Sequence, residues 1–170
     1  MFFHKQSKLN LNNIITDNKQ IDDLFDSIEN KNGNKIWQIK DANNSTILHK
    51  SCFLDYTQLS IIIIQEVKKS LGSSSLLSNF INEKTDEGIT ALHYAAYKGN
   101  LELSKILIQN GALVNSFTNI GKNIIHLSAE GNHPSTKIYF LYKEKFDIHT
   151  GIKMGLLPYN GHVTQVGMNL

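Results

Sequence analysis

The sequence predicts an all-α fold in which pairs of helices stack side by side into a solenoid, with β-turn or hairpin connections between them. The block Gly-Ile-Thr-Ala-Leu-His-Tyr-Ala-Ala at 88–96 returns 33 residues later as Gly-Lys-Asn-Ile-Ile-His-Leu-Ser-Ala at 121–129. A related block, Asn-Ser-Thr-Ile-Leu-His-Lys-Ser-Cys, lies 44 residues upstream of the first, at 44–52. Self-similarity at a fixed period of roughly 20–50 residues is typical of repeat architectures, in which each unit packs on its neighbours.

A period of 33 residues around Thr-x-Leu-His-x-Ala resembles the ankyrin-repeat family, whose unit is a β-turn followed by two helices. The resemblance covers residues 20–150 and implies an ankyrin-repeat solenoid. It also implies that the repeated motif residues are structural. These residues are Thr46, Leu48, His49, Gly88, Thr90, Leu92, His93, Gly121, Ile125 and His126.

The repeats divide the chain into segments. Residues 1–19 show no sustained helical period, so we expect a flexible N-terminal segment. An N-terminal half-repeat is expected next, from residue 20. The first full repeat exceeds the 33-residue period by 11 residues, which we assign to a loop at Lys69–Ser75 because this stretch is rich in glycine and serine. The three full repeats are expected at about 41–84, 85–116 and 117–149, and Gly131–Pro134 should distort the third.

Residues 151–170 are expected to form an irregular tail. Gly155 falls in phase with the glycines of the repeat, yet no Thr-x-Leu-His motif follows it. Codons that can encode Leu157–Leu170 give Thr-Pro-Leu-Gln-Trp-Ala in a shifted reading frame, and this resembles the start of an ankyrin first helix. We therefore interpret residues 156–170 as a frame-shifted tail and expect the array to continue.

Composition argues against several classes of partner and compartment. The net charge is +2 and the 17 basic residues are scattered, so we expect no nucleic-acid partner. The apolar run Ile61–Ile64 is far too short to cross a bilayer, and the chain does not start with the apolar stretch of a signal peptide. A single cysteine is typical of a reducing compartment. We expect a cytoplasmic protein with no membrane on this chain.

No residue is predicted to be catalytic or to bind a metal or cofactor. A metal site would need His49, His93 and His126 to converge, whereas stacked repeats hold equivalent positions about 10 Å apart. The resemblance implies instead that these histidines form hydrogen bonds between neighbouring turns. Cys52 occupies the small buried position of its helix, whereas a nucleophilic cysteine needs an exposed site and a base, and its only nearby imidazole is the structural His49. The stretch Gly72–Ser75 lacks the Gly-Lys-Ser/Thr of a phosphate-binding loop.

The resemblance implies a non-enzymatic module that binds a protein partner, whose identity the sequence does not reveal. Ankyrin arrays use their hairpin tips and the inner surface of their first helices, and exposed aromatic residues beside charges are typical of binding hot spots. An alternative is that the chain is the N-terminal fragment of an Asp-His-His-Cys protein S-acyltransferase, a membrane enzyme, because repeat three is similar to the arrays of that family. The predicted partner-binding residues are Tyr94, Tyr97, Lys98, Ser116, Phe117, Asn119 and Glu130.

Overall fold

The structure, a computed structural model, describes residues 35–142. A turn of 3-10 helix at Ile36–Gln38 belongs to the first of two compact units, which ends at Ile39. The second unit begins at Lys40 and, as far as residue 142, contains seven α-helices and no β-strand. These helices are α1 (Ile47–Phe53), α2 (Thr57–Leu71), α3 (Ser74–Ile81), α4 (Ala91–Lys98), α5 (Leu101–Gln109), α6 (Ile124–Glu130) and α7 (Pro134–Tyr142).

The helices of the second unit form pairs that stack in two layers. Helices α1, α4 and α6 pack side by side, and we call them the first-helix layer. Each is followed by a helix that packs against it, namely α2, α5 and α7, and α2 also packs against α5. Within the described residues this arrangement confirms the predicted all-α stack of helix pairs.

The three first helices begin with the same capping geometry, which explains why Thr or Asn recurs three residues before His. At α4, the Thr90 backbone is extended and its hydroxyl oxygen accepts from the backbone N–H of His93 at 3.4 Å. In return, Nδ1 of His93 accepts from the backbone N–H of Thr90 at 3.1 Å. This reciprocal capping box satisfies two N–H groups that a helix start leaves unpaired. The equivalent pairs are Thr46 with His49 and Asn123 with His126.

The turn before each first helix requires a left-handed residue. Gly88 has φ of 76° and Gly121 has φ of 74°, and Asn44 takes the equivalent place with φ of 57°. Glycine adopts this region without strain, and asparagine is among the side chains that tolerate it best. A side chain at Gly88 would also collide with the backbone N–H of Asn119, which donates to the Glu87 carbonyl at 2.9 Å. The turns of neighbouring repeats therefore touch directly.

The core lies between the two layers and between neighbouring repeats. In the first-helix layer, Leu48 and Leu92 are each 1% exposed, and Ile125 is buried at the equivalent place. Their neighbours in the second helices include Ile63, Val67, Leu103, Leu107 and Phe140, all fully buried. Ile106 and Ile108 of α5 are only half-buried.

The loop prediction for Lys69–Ser75 is wrong. Helix α2 continues to Leu71, a left-handed Gly72 ends it, and α3 begins at Ser74. Glycine and serine content suggested a loop, but the apolar residues that follow at helical spacing give α3 a buried face of Leu77, Phe80 and Ile81. The insertion is therefore an additional helix.

Helix α3 is also bonded to the next repeat. The side chains of Ser78 and Asn82 donate to the Gly111 carbonyl at 3.0 and 2.7 Å, and Asn82 Oδ1 accepts from the backbone N–H of Leu113 at 2.8 Å. Gly111 itself is left-handed, with φ of 99°. The insertion thus links repeats one and two by side-chain bonds in addition to the contact between α2 and α5.

Repeat three keeps the register of repeat two at Gly131–Pro134, so the predicted distortion there is wrong. Helix α7 begins 33 residues after α5, and Asn132, with φ of 59°, takes the left-handed place that Gly99 has in repeat two. Helix α6 ends at Glu130, and Pro134 is the first residue of α7, where a missing backbone N–H costs least. Thr136 and Phe140 are the buried residues of α7, whereas Ile138 and Tyr142 are exposed.

Several expectations fall outside the described residues. They are the flexible segment 1–19, the part of the half-repeat before residue 35, the end of repeat three from residue 143 to 149, and the tail 151–170 with its frame-shift interpretation.

Candidate functional site

The repeated histidines of α1 and α4 tie each first helix to the residues that end its own repeat, just before the turn of the next one. The ring of His49 donates through Nε2 to the Glu83 carbonyl at 3.0 Å, and that of His93 donates to the Ser116 carbonyl at 3.2 Å. In both rings Nδ1 accepts from the capping residue, so both nitrogens of the neutral ring are used. The structural role that the resemblance implied therefore holds for His49 and His93. His126 uses Nδ1 in the same way, accepting from the backbone N–H of Asn123 at 3.3 Å.

Burial keeps these rings neutral. Desolvation lowers the pKa of His93 to about 4, although the hydrogen bond to the Ser116 carbonyl acts in the opposite direction. The pKa values of His49 and His126 are also lowered, again mainly by burial. Neutral histidine could ligate a metal, but among residues 35–142 no group of three or more His, Cys, Asp or Glu side chains is arranged to hold one.

Cys52 is not a nucleophile in this structure. Its side chain is fully buried, and this burial raises the pKa of the thiol to about 12, even though Ser60 and Ser51 lie beside it. A thiol must ionise and be reached by its substrate in order to react. Cys52 therefore acts as a small buried side chain, as its place in the repeat indicated.

The hairpin-tip candidates differ in accessibility. Ser116 is buried, and its carbonyl accepts from His93, so its side chain has almost no surface to offer a partner. This corrects our expectation of an exposed Ser116. Phe117 is half-buried, and its carbonyl accepts from Lys84 Nζ at 2.9 Å. Asn119 is exposed, and its amide donates to the Asp86 carbonyl at 2.6 Å.

The candidates on α4 meet an aromatic residue of α1. Phe53 packs edge-on against Tyr94, with ring centroids 5.4 Å apart. Lys98 Nζ lies 4.9 Å from the centre of the Phe53 ring and 5.9 Å from that of Tyr97. Phe53 is 37% exposed and Tyr97 40% exposed. We call Phe53, Tyr94, Tyr97 and Lys98 the aromatic patch; it spans the first helices of repeats one and two.

Tyr94 is less accessible than Phe53 and Tyr97. It is half-buried, it also contacts the His49 ring edge-on at 6.3 Å, and burial raises the pKa of its hydroxyl, with smaller contributions from Glu87 and Asp41. Tyr94 therefore supports the aromatic patch from below, whereas Phe53 and Tyr97 supply its surface. The structure brings three of the predicted residues together here and leaves Glu130 apart, on α6, where it pairs with Lys122.

Phe53 is the residue that the sequence analysis did not select. It stands 44 residues before Tyr97, which is the spacing between the first two motif blocks, and Glu130 follows Tyr97 by 33. Phe53, Tyr97 and Glu130 therefore share one position of the repeat, in the last turn of the first helix. Applying the repeat register to Tyr97 would have revealed Phe53 as its neighbour.

Known proteins with similar sequences define the family. A profile of ankyrin repeats, in three copies, matches residues 67–151, half of the 170-residue chain. The Notch-regulated ankyrin repeat-containing protein of Xenopus laevis is 31% identical over 105 residues, which cover 56% of this chain and 90% of that protein. This chain belongs to the ankyrin repeat family. The human Notch-regulated ankyrin repeat-containing protein is 33% identical over 82 residues, covering 48% of this chain and 72% of that protein.

A solved structure agrees with the fold of this ankyrin repeat protein. A chain in the crystal structure of the yeast ribosomal protein Rps3 in complex with its chaperone Yar1 aligns with a TM-score of 0.66, covering 84% of this chain and 98% of that chain. At 23% identity this likeness concerns the fold alone. No helix within residues 35–142 of the ankyrin repeat protein is long and apolar enough to cross a membrane. The chain is an ankyrin-repeat module for protein interaction.

Proposed function

We propose that this ankyrin repeat protein binds a protein partner through the first-helix layer, with the aromatic patch at the centre of the contact. The observation that carries the proposal is the exposure of Phe53 and Tyr97 around Lys98, across the junction of two repeats. Aromatic side chains bury a large area at little entropic cost and are enriched among binding hot spots.

The surroundings of the patch suit a hot spot. Tyr94 fixes the Phe53 ring from below, so the patch is already ordered before a partner arrives. Preorganised side chains lose less conformational entropy on binding. Asn119 and Glu130, which are polar and exposed on the neighbouring hairpin tip and on α6, are proposed to form the rim of the contact, and Phe117 to contribute beside them.

Affinity purification from extracts of the source cells tests this proposal. The full chain is compared with a double variant, Phe53→Ala with Tyr97→Ala, and with the control Leu76→Ala. Leu76 is a similarly exposed apolar residue, 49% exposed, but lies on α3. Truncation of a hot-spot aromatic residue costs about 2 kcal/mol, or roughly thirtyfold in affinity.

We expect the same partner to copurify with the unmodified chain and the Leu76→Ala control, and to be lost from the double variant. Far-UV circular dichroism should show that all three proteins are equally helical. Full retention of every partner by the folded double variant would refute the aromatic patch as the binding surface.

Compartment, cofactor use and nucleic-acid binding have less support than the binding surface. We propose a cytoplasmic protein without a cofactor or a nucleic-acid partner; the scattered basic residues and the buried thiol of Cys52 support this. The S-acyltransferase alternative depends on the resemblance of repeat three alone. None of the relatives named above is described as an acyltransferase, so the interaction module is the better supported function.

A further inference from the structure

The charges of the first-helix layer are mostly paired. Lys50 on α1 lies 3.1 Å from the Asp41 carboxylate, and Glu130 on α6 pairs with Lys122. At the neighbouring turn Lys40 lies 3.3 Å from Glu83. These pairs leave the charges at both ends of the layer locally neutralised. A partner that covers them gains little from adding another charge.

Lys98 on α4 is the exception. Within the part of the chain that the structure describes, no carboxylate forms an ion pair with its ammonium group, which rests against the faces of Phe53 and Tyr97. Asp55, which follows α1, accepts from the Asn100 amide at 2.7 Å. Contact with aromatic faces holds the ammonium in place but leaves its charge without a counter-ion.

A partner that covers the two rings must remove water from this ammonium group. Burying an unpaired charge is costly, whereas a carboxylate placed against it restores the lost interaction. The rings beside the charge require apolar surface from the partner at the same place. The partner must therefore place a carboxylate and an apolar group close together, because Lys98 Nζ lies only 4.9 Å from the Phe53 ring centre.

We infer that the aromatic patch recognises a protein segment in which an Asp or Glu side chain stands directly beside an apolar or aromatic one. The carboxylate pairs with Lys98, and its apolar neighbour covers Phe53 and Tyr97. This inference rests on the proposed function, because it names the chemistry of the partner at the same surface. A basic segment is disfavoured there, since it would bring like charge against Lys98.

Selection of short random peptides displayed on phage, with the full chain as bait, tests the inference. We expect the selected peptides to share an acidic residue adjacent to an apolar or aromatic one. Lys98→Ala should weaken their binding about five- to tenfold, and Lys98→Glu should abolish it and select basic peptides instead. The matched control is Lys105→Ala, since Lys105 also lies over an aromatic ring, that of Tyr139 at 5.3 Å, but on α5. It should leave binding unchanged.

The outcomes separate this inference from the function on which it rests. One outcome would overturn the inference but keep the patch as a binding surface. In it, the selected peptides carry no acidic residue, and their binding is weakened by Phe53→Ala or Tyr97→Ala but not by Lys98→Ala. Peptides whose binding is unchanged by all of these substitutions would overturn both the inference and the proposed function. Weaker binding at high salt should accompany the expected result, because ion pairs at a surface are screened.

Discussion

The Leu92→Ala variant is expected to lose about 2–5 kcal/mol of unfolding free energy. Leu92 is 1% exposed on α4, the helix that packs against both α1 and α6. Removing its side chain leaves a cavity at the centre of the first-helix layer. Stability of a repeat array is the sum of repeat and interface terms, so a loss in the middle repeat weakens two interfaces at once.

Urea unfolding followed by far-UV circular dichroism measures this loss. The control is Gln65→Ala, since Gln65 is exposed on α2 and ordinary surface substitutions stay within about 0.5 kcal/mol. Similar unfolding free energies for the two variants would mean that the buried and exposed faces of the helices are wrongly assigned.

Acidification is expected to destabilise the protein by on the order of 3 kcal/mol through His93 alone. The pKa of His93 is about 4 in the folded chain, against an ordinary 6.5, so the unfolded chain binds more protons between these values. Stability from this group is therefore complete above pH 6.5 and is lost as the pH falls toward 4. The structural reason is plain, because a proton on Nδ1 would face the backbone N–H of Thr90.

The substitution His93→Gln isolates this contribution. Glutamine at the third helical position completes a Thr-x-x-Gln capping box but does not ionise. Urea unfolding midpoints between pH 7 and pH 5 should fall less steeply in the variant than in the unmodified chain, with His49 supplying part of the remaining slope because its pKa is lowered too. Identical slopes would contradict the assignment of His93 as a buried neutral ring.

The fold could be predicted from the sequence because its local signals repeat. Thr90 and His93 cap a helix by contacts within one turn, and Gly88 marks a left-handed position, so the same residues return wherever the same local geometry returns. Such features depend on a few adjacent residues. They can therefore be identified before any tertiary contact is known.

The errors arose where distant contacts decide the structure. Composition predicts a loop at Lys69–Ser75. The apolar residues Leu77, Phe80 and Ile81 that follow are buried on one face, and this burial stabilises helix α3. In α7 the apolar residues Ile138 and Tyr142 are exposed, while Phe140 is fully buried. A helix with apolar residues on several faces does not reveal which face is covered.

The candidate site could be predicted only in part. Tyr94, Tyr97 and Lys98 were found because they lie on one helix, but Phe53 comes from another repeat and joins them through packing. Ser116 illustrates the opposite case, since a small polar residue in a turn looked exposed but is buried, with its carbonyl accepting from the His93 ring.

Site-specific photocrosslinking tests the central claim most directly. The photoreactive residue p-benzoylphenylalanine replaces Tyr97 in one full-length protein and Leu76 in another, and each is irradiated in extracts of the source cells. If the first-helix layer is the binding surface, a partner will be crosslinked from position 97 and not from position 76. Crosslinking of the partner from position 76, with none from position 97, would contradict the account.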